Sequence, residues 1–238
     1  MPEGKLFDHR PLDLISAAAH DIKTPLVFIR GAASQLNEGH ASPEEMARQL
    51  GRMEQSAGRL LNLIDSLIGS AQARQQELNL EPVQAEQVIH YALEDIKPYA
   101  GELGFDFNLK FSHKLPLILS HRLALRRVLF NLLDNAVKYT RDDSKKTIDV
   151  SARRDKDRVR ITVRDYGVGI RQEDLKQIWK LFGRAAEPAA VVPGSSGLGL
   201  YIASSLSRSL SAELDLTTQA KGTSFYLRLP IAHQLSLF

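Results

Sequence analysis

The chain has 238 residues, 43% of them hydrophobic, which is enough apolar material for the cores of two small domains. Its 31 Lys and Arg stand against 28 Asp and Glu, and the signs are interspersed with no basic run carrying interleaved aromatics, so the charge pattern argues against nucleic-acid binding. With no cysteine, disulfides, thiolate metal sites and a cysteine nucleophile are excluded together.

No stretch approaches the roughly 20 apolar residues of a membrane span, and the first ten residues, MPEGKLFDHR, lack the apolar core of a signal peptide. A soluble, cytoplasmic chain without membrane contact is expected, standing alone or as the cytoplasmic piece of a membrane-anchored protein.

Ile15, Ala18, Ile22, Pro25, Ile29, Ala32 and Leu36 are separated by alternating steps of three and four, the spacing of a heptad seam. Met46, Leu50, Met53, Ala57, Leu60, Ile64 and Leu67 repeat it. Between the two runs lies a short connection with Gly39, then Ser42-Pro43-Glu44-Glu45, where Ser42 suits an N-cap, Pro43 the first helical position and Glu45 a capping box. A helical hairpin follows. Two helices with one seam each close a core poorly alone, so a homodimeric four-helix bundle through residues 10–75 is expected, the alternative being a hairpin packed on the rest of its own chain.

The pattern changes near Leu80-Glu81-Pro82, which places the domain boundary there: residues 1–80 form the hairpin and residues 84–238 a second domain. In the second domain the sequence predicts a helix from about 84 to 101, a strand at Asp106 to Phe111 and a long helix from Ser120 to Tyr139. Two strands of period two, TIDVSARR and RVRITVRD, follow, then a short helix around Glu173 to Lys180. A helix near Leu198 to Leu210 and the strands AELDLTT and TSFYLRL end the chain. This order fits an α+β fold, an antiparallel or mixed sheet with helices on one face.

Several stretches carry chemistry. In AHDIKTPL, with Ile15, Ile22 and Ile29 at a positions, His20 falls at f, away from the seam, and Thr24 shares its face one turn on. Pro25 cannot donate the helical N–H and is expected to strain the helix just beyond His20. An exposed imidazole is a nucleophile through its unprotonated nitrogen, and a carboxylate such as Asp21 can hold the other N–H. In NLLDNAVKYT, Asn131 and Asn135 lie four apart on one helix face, with Lys138 and Tyr139 at the helix end, a set that suits a hard cation and phosphate as well as a plain polar face. In RDYGVGI, Asp165 ends a strand, and Gly167 and Gly169 allow a tight turn. GSSGLGLYIA starts a helix with Gly194, Gly197 and Gly199, where free N–H groups favour an anion.

Taken in order, HDIKTPL, NLLDNAVKYT, DYGVGI, IWKLFGR and GSSGLGL on a hairpin followed by an α+β domain resemble the H, N, G1, F and G2 boxes of bacterial two-component sensor histidine kinases, over roughly residues 10–230. The resemblance implies a dimeric phosphoacceptor hairpin followed by an α/β sandwich ATP-binding domain, using ATP and Mg2+ and passing a phosphoryl group to the receiver domain of a response regulator. By it, His20 is the phospho-acceptor, Asp21 its acidic helper, and Thr24 the position that orients water in dephosphorylation of the partner. Asn135 is then the principal magnesium ligand with Asn131 beside it, and Lys138 and Tyr139 lie near the phosphates and ribose. Asp165 reads the adenine amino group, Gly167 and Gly169 shape the adenine pocket, and Gly197, Leu198 and Gly199 admit the phosphates. Phe182 anchors the lid and Arg184 lies near the γ-phosphate.

There are departures from the family pattern. His121 stands where many relatives have an acidic helix cap, with Ser120 expected to take over the capping, and Trp179 and Ser195 replace a common phenylalanine and glycine. Two other functions stay open. A gyrase-type ATPase shares the nucleotide fold, but its water-activating glutamate would fall at Asn131. A non-catalytic nucleotide-binding dimeric scaffold would not need His20.

Overall fold

The computed structural model describes residues 11–37, 42–53, 56–57, 60, 78–140, 145–180, 183 and 197–232. The chain forms two compact units, residues 1–69 and 70–238.

In the first unit, α1 (Pro11–Asn37) runs as one helix through Pro25, opening on Pro11, where the missing N–H removes no intrahelical bond. Of the expected seam, Ala32 is buried and Ile22, Ile29 and Leu36 are half-buried. The second helix, α2 (residues 43–53), begins as its sequence predicts: the Ser42 hydroxyl accepts from the Glu45 N–H at 3.2 Å, and the Ser42 carbonyl accepts from Met46 N–H at 2.8 Å. A bond from Gln49 Nε2 to Gln35 Oε1, 3.3 Å, links the two helices. In the single chain Met46 and Leu50 of the second seam stay 42% and 51% exposed. The hairpin connection with Gly39 and most of the second seam beyond Met53 lie outside the described residues.

The second unit is a mixed five-stranded sheet in the order β2-β4-β5-β7-β6, carrying helices on one face. Strand β2 (Asp106–Phe111) pairs in parallel with β4 (Thr147–Asp155). The strands β5 (Arg158–Arg164), β7 (Gly222–Pro230) and β6 (Glu213–Gln219) continue it antiparallel. Period-two alternation sorts the faces. Ile148, Val150, Ala152, Val159, Ile161, Val163, Phe225, Leu227 and Leu229 are buried on the inner face. The outer face carries polar residues, including a network in which Arg228 reaches Asp155 and Glu213 and Arg158 reaches Glu213.

Against the inner face lie α3 (Ala85–Glu102), α4 (Arg122–Tyr139) and α5 (Gly199–Ser209). Helix α4 is the middle of this layer, packing on both α3 and α5. Its Leu125, Val128, Leu129, Leu132, Leu133, Ala136 and Val137 form one apolar stripe and are all buried. Full burial of a leucine or isoleucine contributes about 1.5–3 kcal/mol, so this stripe holds the polar residues on the opposite side of α4 in place.

The structure corrects three details. A two-stranded antiparallel ribbon, β1 (Glu81–Val83) with β3 (Ile118–Ser120), stands beside the main sheet and was not expected. The short helix expected over Glu173 to Lys180 is a 3-10 turn at Gln172–Asp174 followed by further turns. Most of its bonds span three residues, as in Asp174 N–H to Arg171 O and Lys180 N–H to Gln177 O, and a segment this short does not repay nucleation of an α-helix. The cap of α4 is His121, whose Nδ1 accepts from Ala124 N–H at 3.3 Å, and not Ser120, which ends β3 with its hydroxyl buried and without a hydrogen-bond partner among the described residues.

Candidate functional site

The predicted nucleotide residues gather in two corners of the second unit. The first is built where β5 ends. Asp165 is only 4% exposed, and its Oδ1 accepts from the N–H groups of Gly167 at 2.9 Å and Thr223 at 3.0 Å. The Asp165 N–H in turn donates to Thr223 O at 3.0 Å, so the residue is held from both sides by β7 and the turn that follows it. Burial pushes its carboxyl above the ordinary carboxylate range, against the opposing pull of these N–H groups.

Backbone packing makes that turn possible. A Cβ on Gly167 would fall 2.2 Å from the carbonyl oxygen of Tyr139, at the end of α4. Gly169 has φ +72°, and a Cβ there would fall 2.1 Å from Gln219 O. Ile170 N–H donates to Thr218 Oγ1 at 2.7 Å. Three residues absent from the sequence-based set therefore complete this corner: Thr218, Gly222 and Thr223. A Cβ on Gly222 would lie 2.1 Å from Asp165 O. Their one sequence signal is the Lys221-Gly222-Thr223 turn between two alternating strands, 58 residues from Asp165 in the case of Thr223.

The second corner lies where α4 meets the start of α5. Asn131 donates through Nδ2 to Arg127 O at 2.9 Å, and its Oδ1 stands 3.3 Å from where a Cβ of Gly199 would be. Asn135 Oδ1 and Nδ2 are each 3.7 Å from the same point. The spacing of four that put both carboxamides on one helix face thus brings both to one spot at the first residue of α5. Asn135 Nδ2 is buried and has no hydrogen-bond partner among the described residues. Such a group is destabilising by about 1–3 kcal/mol unless something fills its valence. Leu198, at the N-cap position of α5, is buried and supplies no side-chain cap, and Gly197 precedes it with φ +70°. The N-cap residue of α5 thus contributes no side-chain acceptor of its own, and the helix dipole adds positive character there.

The remaining candidates divide. Lys138 is turned back along α4 into an ion pair with Asp134, Nζ to Oδ2 2.5 Å. Tyr139 contributes through its carbonyl, which meets Gly167 and accepts from Val168 N–H at 3.4 Å. His20, Asp21 and Thr24 lie within helix α1, and their side chains, like Phe182, Arg184 and Gly194, lie outside the described residues. Trp179, just before that segment, meets Phe225 of β7 edge-on, with ring centroids 6.3 Å apart.

The donor set fits a magnesium ion. Two carboxamide oxygens on adjacent turns lie near the start of α5, and a hexacoordinate magnesium commonly takes one or two protein ligands beside phosphate and water oxygens. Among the described residues no cluster of three or more His, Cys, Asp or Glu offers a rival metal site. No described helix is long and apolar enough to cross a membrane.

Comparison with known proteins matches this layout. The family described as "His Kinase A (phospho-acceptor) domain" matches residues 12–76, and "Histidine kinase-, DNA gyrase B-, and HSP90-like ATPase" matches residues 120–233. The chain is 29% identical over 220 residues to the histidine protein kinase SaeS of Staphylococcus epidermidis, covering 91% of this chain and 62% of that protein. It is 28% identical to the sensor protein GacS of Pseudomonas syringae pv. syringae, covering 93% of this chain and 25% of GacS. The chain thus spans under two thirds of these relatives.

Among solved structures, the histidine kinase AdeS of Acinetobacter baumannii superposes with a TM-score of 0.71 at 19% identity, over 90% of this chain and 98% of AdeS. Full-length ShkA in complex with AMPPNP gives 0.66 at 26% identity, over 94% of this chain and 47% of ShkA. ThkA in complex with the response regulator protein TrrA gives 0.70 at 18% identity, over 92% of this chain and 61% of that chain. With a phospho-acceptor hairpin followed by an ATPase domain whose aspartate and asparagine corners are both formed, the chain belongs to the sensor histidine kinases and carries their catalytic core.

Proposed function

We propose that this core binds Mg-ATP in its second unit, transfers the γ-phosphoryl group to His20, and passes it from there to an aspartate of a response-regulator receiver domain. The observation that carries the reading is the pairing of a buried carboxylate, Asp165, with an orphaned buried amide, Asn135, in one unit. A carboxylate with two backbone N–H groups on Oδ1 keeps Oδ2 for the exocyclic amino group of adenine. A guanine would present a carbonyl oxygen there and be repelled. Gly167 and Gly169 keep the turn low enough for the base to approach.

At the other corner, Asn131 and Asn135 are the residues that would hold magnesium, which when bound offsets the negative charge of the phosphates. The Asn135 amide gains a phosphate oxygen as its acceptor, and the N–H groups opening α5 at Gly197, Leu198 and Gly199 meet the same chain of phosphates. Lys138 reaches them by exchanging Asp134 for phosphate, and Tyr139 sits by the ribose. Phe182 and Arg184 complete the site from the lid.

In the reaction the unprotonated nitrogen of His20 gives its lone pair to the γ-phosphorus while the bond to the β,γ-bridging oxygen breaks and ADP leaves. Asp21 holds the proton on the other ring nitrogen and stabilises the cation that develops. Thr24 orients water when the phosphorylated partner is to be hydrolysed. Protein groups here position and neutralise more than they react, as phosphoryl transfer requires. Transfer between domains needs a link that lets one reach the other, and since Pro82 is itself held in β1 that link would lie before Glu81. The hairpin forms a homodimer, which covers Met46 and Leu50. The complexes of ShkA with AMPPNP and of ThkA with a response regulator support the nucleotide and the partner class.

The test is incubation with γ-labelled ATP and magnesium. Wild type is expected to acquire acid-labile, base-stable label, and His20→Gln and Asn135→Ala to fall to background, with Asn135→Ala as thermally stable as wild type because it removes an unpaired buried amide. Bound nucleotide without label on wild type would support the scaffold instead. Release of free phosphate without label on the protein would support the ATPase.

A further inference from the structure

Asp165 is followed by Tyr166, and the strand alternation sends the two side chains to opposite faces of the sheet. Asp165 points inward to the nucleotide corner. Tyr166 lies on the outer face, where its hydroxyl donates to Asp149 Oδ2 on β4 at 2.5 Å. The other oxygen of that carboxylate accepts from Asn108 Nδ2 on β2 at 3.0 Å. The ring is flanked by two cations, Lys145 Nζ at 4.8 Å and Arg164 Cζ at 4.9 Å from its centroid. Asp149 is also the cross-strand neighbour of Arg164 and of Asn108, so one phenol is tied across three adjacent strands.

We propose that Tyr166 is a positioning residue of the nucleotide site, fixing through Asp149 and Asn108 the height and tilt at which Asp165 presents its carboxylate to adenine. The inference rests on the nucleotide reading of Asp165. The turn from Asp165 to Gly169 is otherwise held on the inner side, by Thr223, Thr218 and the Tyr139 carbonyl. An outer-side tie removes the freedom to rock about those contacts. Both partners bear the marks of this bond: the phenol is held above its ordinary value by its hydrogen bond to Asp149, and Asp149, although burial alone would raise it, lies below the ordinary carboxylate range because of Tyr166 and Asn108. A charge-assisted bond of this kind is among the stronger ones a sheet surface offers.

The experiment measures ADP and GDP binding to the whole chain with magnesium, for wild type, Tyr166→Phe, Asp149→Asn and the double variant. Tyr166→Phe keeps the ring and its two cations and removes only the hydroxyl. The expected result is ADP affinity weakened about three- to tenfold in either single variant, the worth of one net hydrogen bond. GDP affinity should stay where it was, because guanine never used the aligned carboxylate, and the double variant should be no worse than either single one. Unchanged ADP binding in Tyr166→Phe would overturn the inference alone. Equal weakening of ADP and GDP would also overturn it, because a general loosening of the sheet would do that. Wild type that binds no ADP would overturn the nucleotide reading and this inference with it.

Discussion

The two corners of the nucleotide domain are built to different standards. Around Asp165 nearly every contact is backbone: two N–H groups on one carboxylate oxygen, and glycines at 167, 169 and 222 where any Cβ would strike a carbonyl at 2.1–2.2 Å. Around Asn135 the described contacts are side-chain ones, with a buried amide that has no partner among the described residues and an N-cap residue, Leu198, whose side chain makes no cap bond. Among the described residues the first corner is complete in itself, whereas on the proposed function the second is completed by its ligand. That contrast suits a base that never changes and a phosphate chain that loses a group at each turnover. Preformed hydrogen bonds select and reorganise little, while a donor held in readiness gives its full interaction only to the right occupant.

Three substitutions sharpen the contrast. The largest effect is expected for Gly167→Ala. Its Cβ would lie 2.2 Å from Tyr139 O, a backbone atom that moves only with the end of α4. A loss of about 3 kcal/mol or more and no measurable nucleotide binding are expected, checked by denaturant unfolding and by ADP titration. Retained stability with normal binding would show that the finished corner is softer than its contacts indicate.

Next is Asp165→Asn, which separates stability from recognition. Burial raises the Asp165 carboxyl, so the folded protein holds this proton more tightly than the unfolded chain. Its contribution to stability is therefore full below the ordinary carboxylate range and is lost as pH rises through the raised value. The asparagine keeps an acceptor for both N–H groups and drops the charge. A higher Tm than wild type at neutral pH is expected, with the gap closing toward acid, while ADP affinity falls on the order of a hundredfold. A lower Tm at neutral pH would mean that the carboxylate is stabilised there.

The smallest effect is expected at the other corner. In Gly199→Ala the new Cβ would sit 3.3 Å from Asn131 Oδ1, a side-chain atom that can yield by a few tenths of an ångström. Alanine's helix propensity, up to about 1 kcal/mol over glycine, offsets the crowding. Tm should hold or rise slightly while ADP affinity falls about two- to fivefold, read by thermal melting and calorimetry. A collapse as deep as that of Gly167→Ala would remove the distinction between the corners.

Much of the fold is legible in the sequence because the signals are local. Alternation in TIDVSARR and RVRITVRD marks β4 and β5 to within a residue or two, and the apolar stripe of α4 marks its face. The β1–β3 ribbon escapes because three residues are too few to show a period. His121 as cap escapes because serine is the usual capping residue and a histidine rarely is, so the sequence points to the neighbour. At the site, Asn131 and Asn135 are legible from helical spacing and Asp165 from its strand-end position. The Lys138–Asp134 pair is a choice among partners that spacing alone allows but does not impose. Thr223 and Thr218 reach the turn after β5 across a strand pairing made 50 or so residues later, and no local pattern announces such a meeting.

The chain contains a single tryptophan, and it stands at one of the places where change is most informative. Trp179 meets Phe225 edge-on, two residues after the Thr223 whose N–H holds Asp165 and just ahead of the segment that carries Phe182 and Arg184. All the indole emission of the protein therefore originates against β7, the strand whose Thr223 holds Asp165. The molecule carries its own optical label there, and on the proposed function nucleotide binding is expected to register in the colour and polarisation of its ultraviolet fluorescence without attaching a dye.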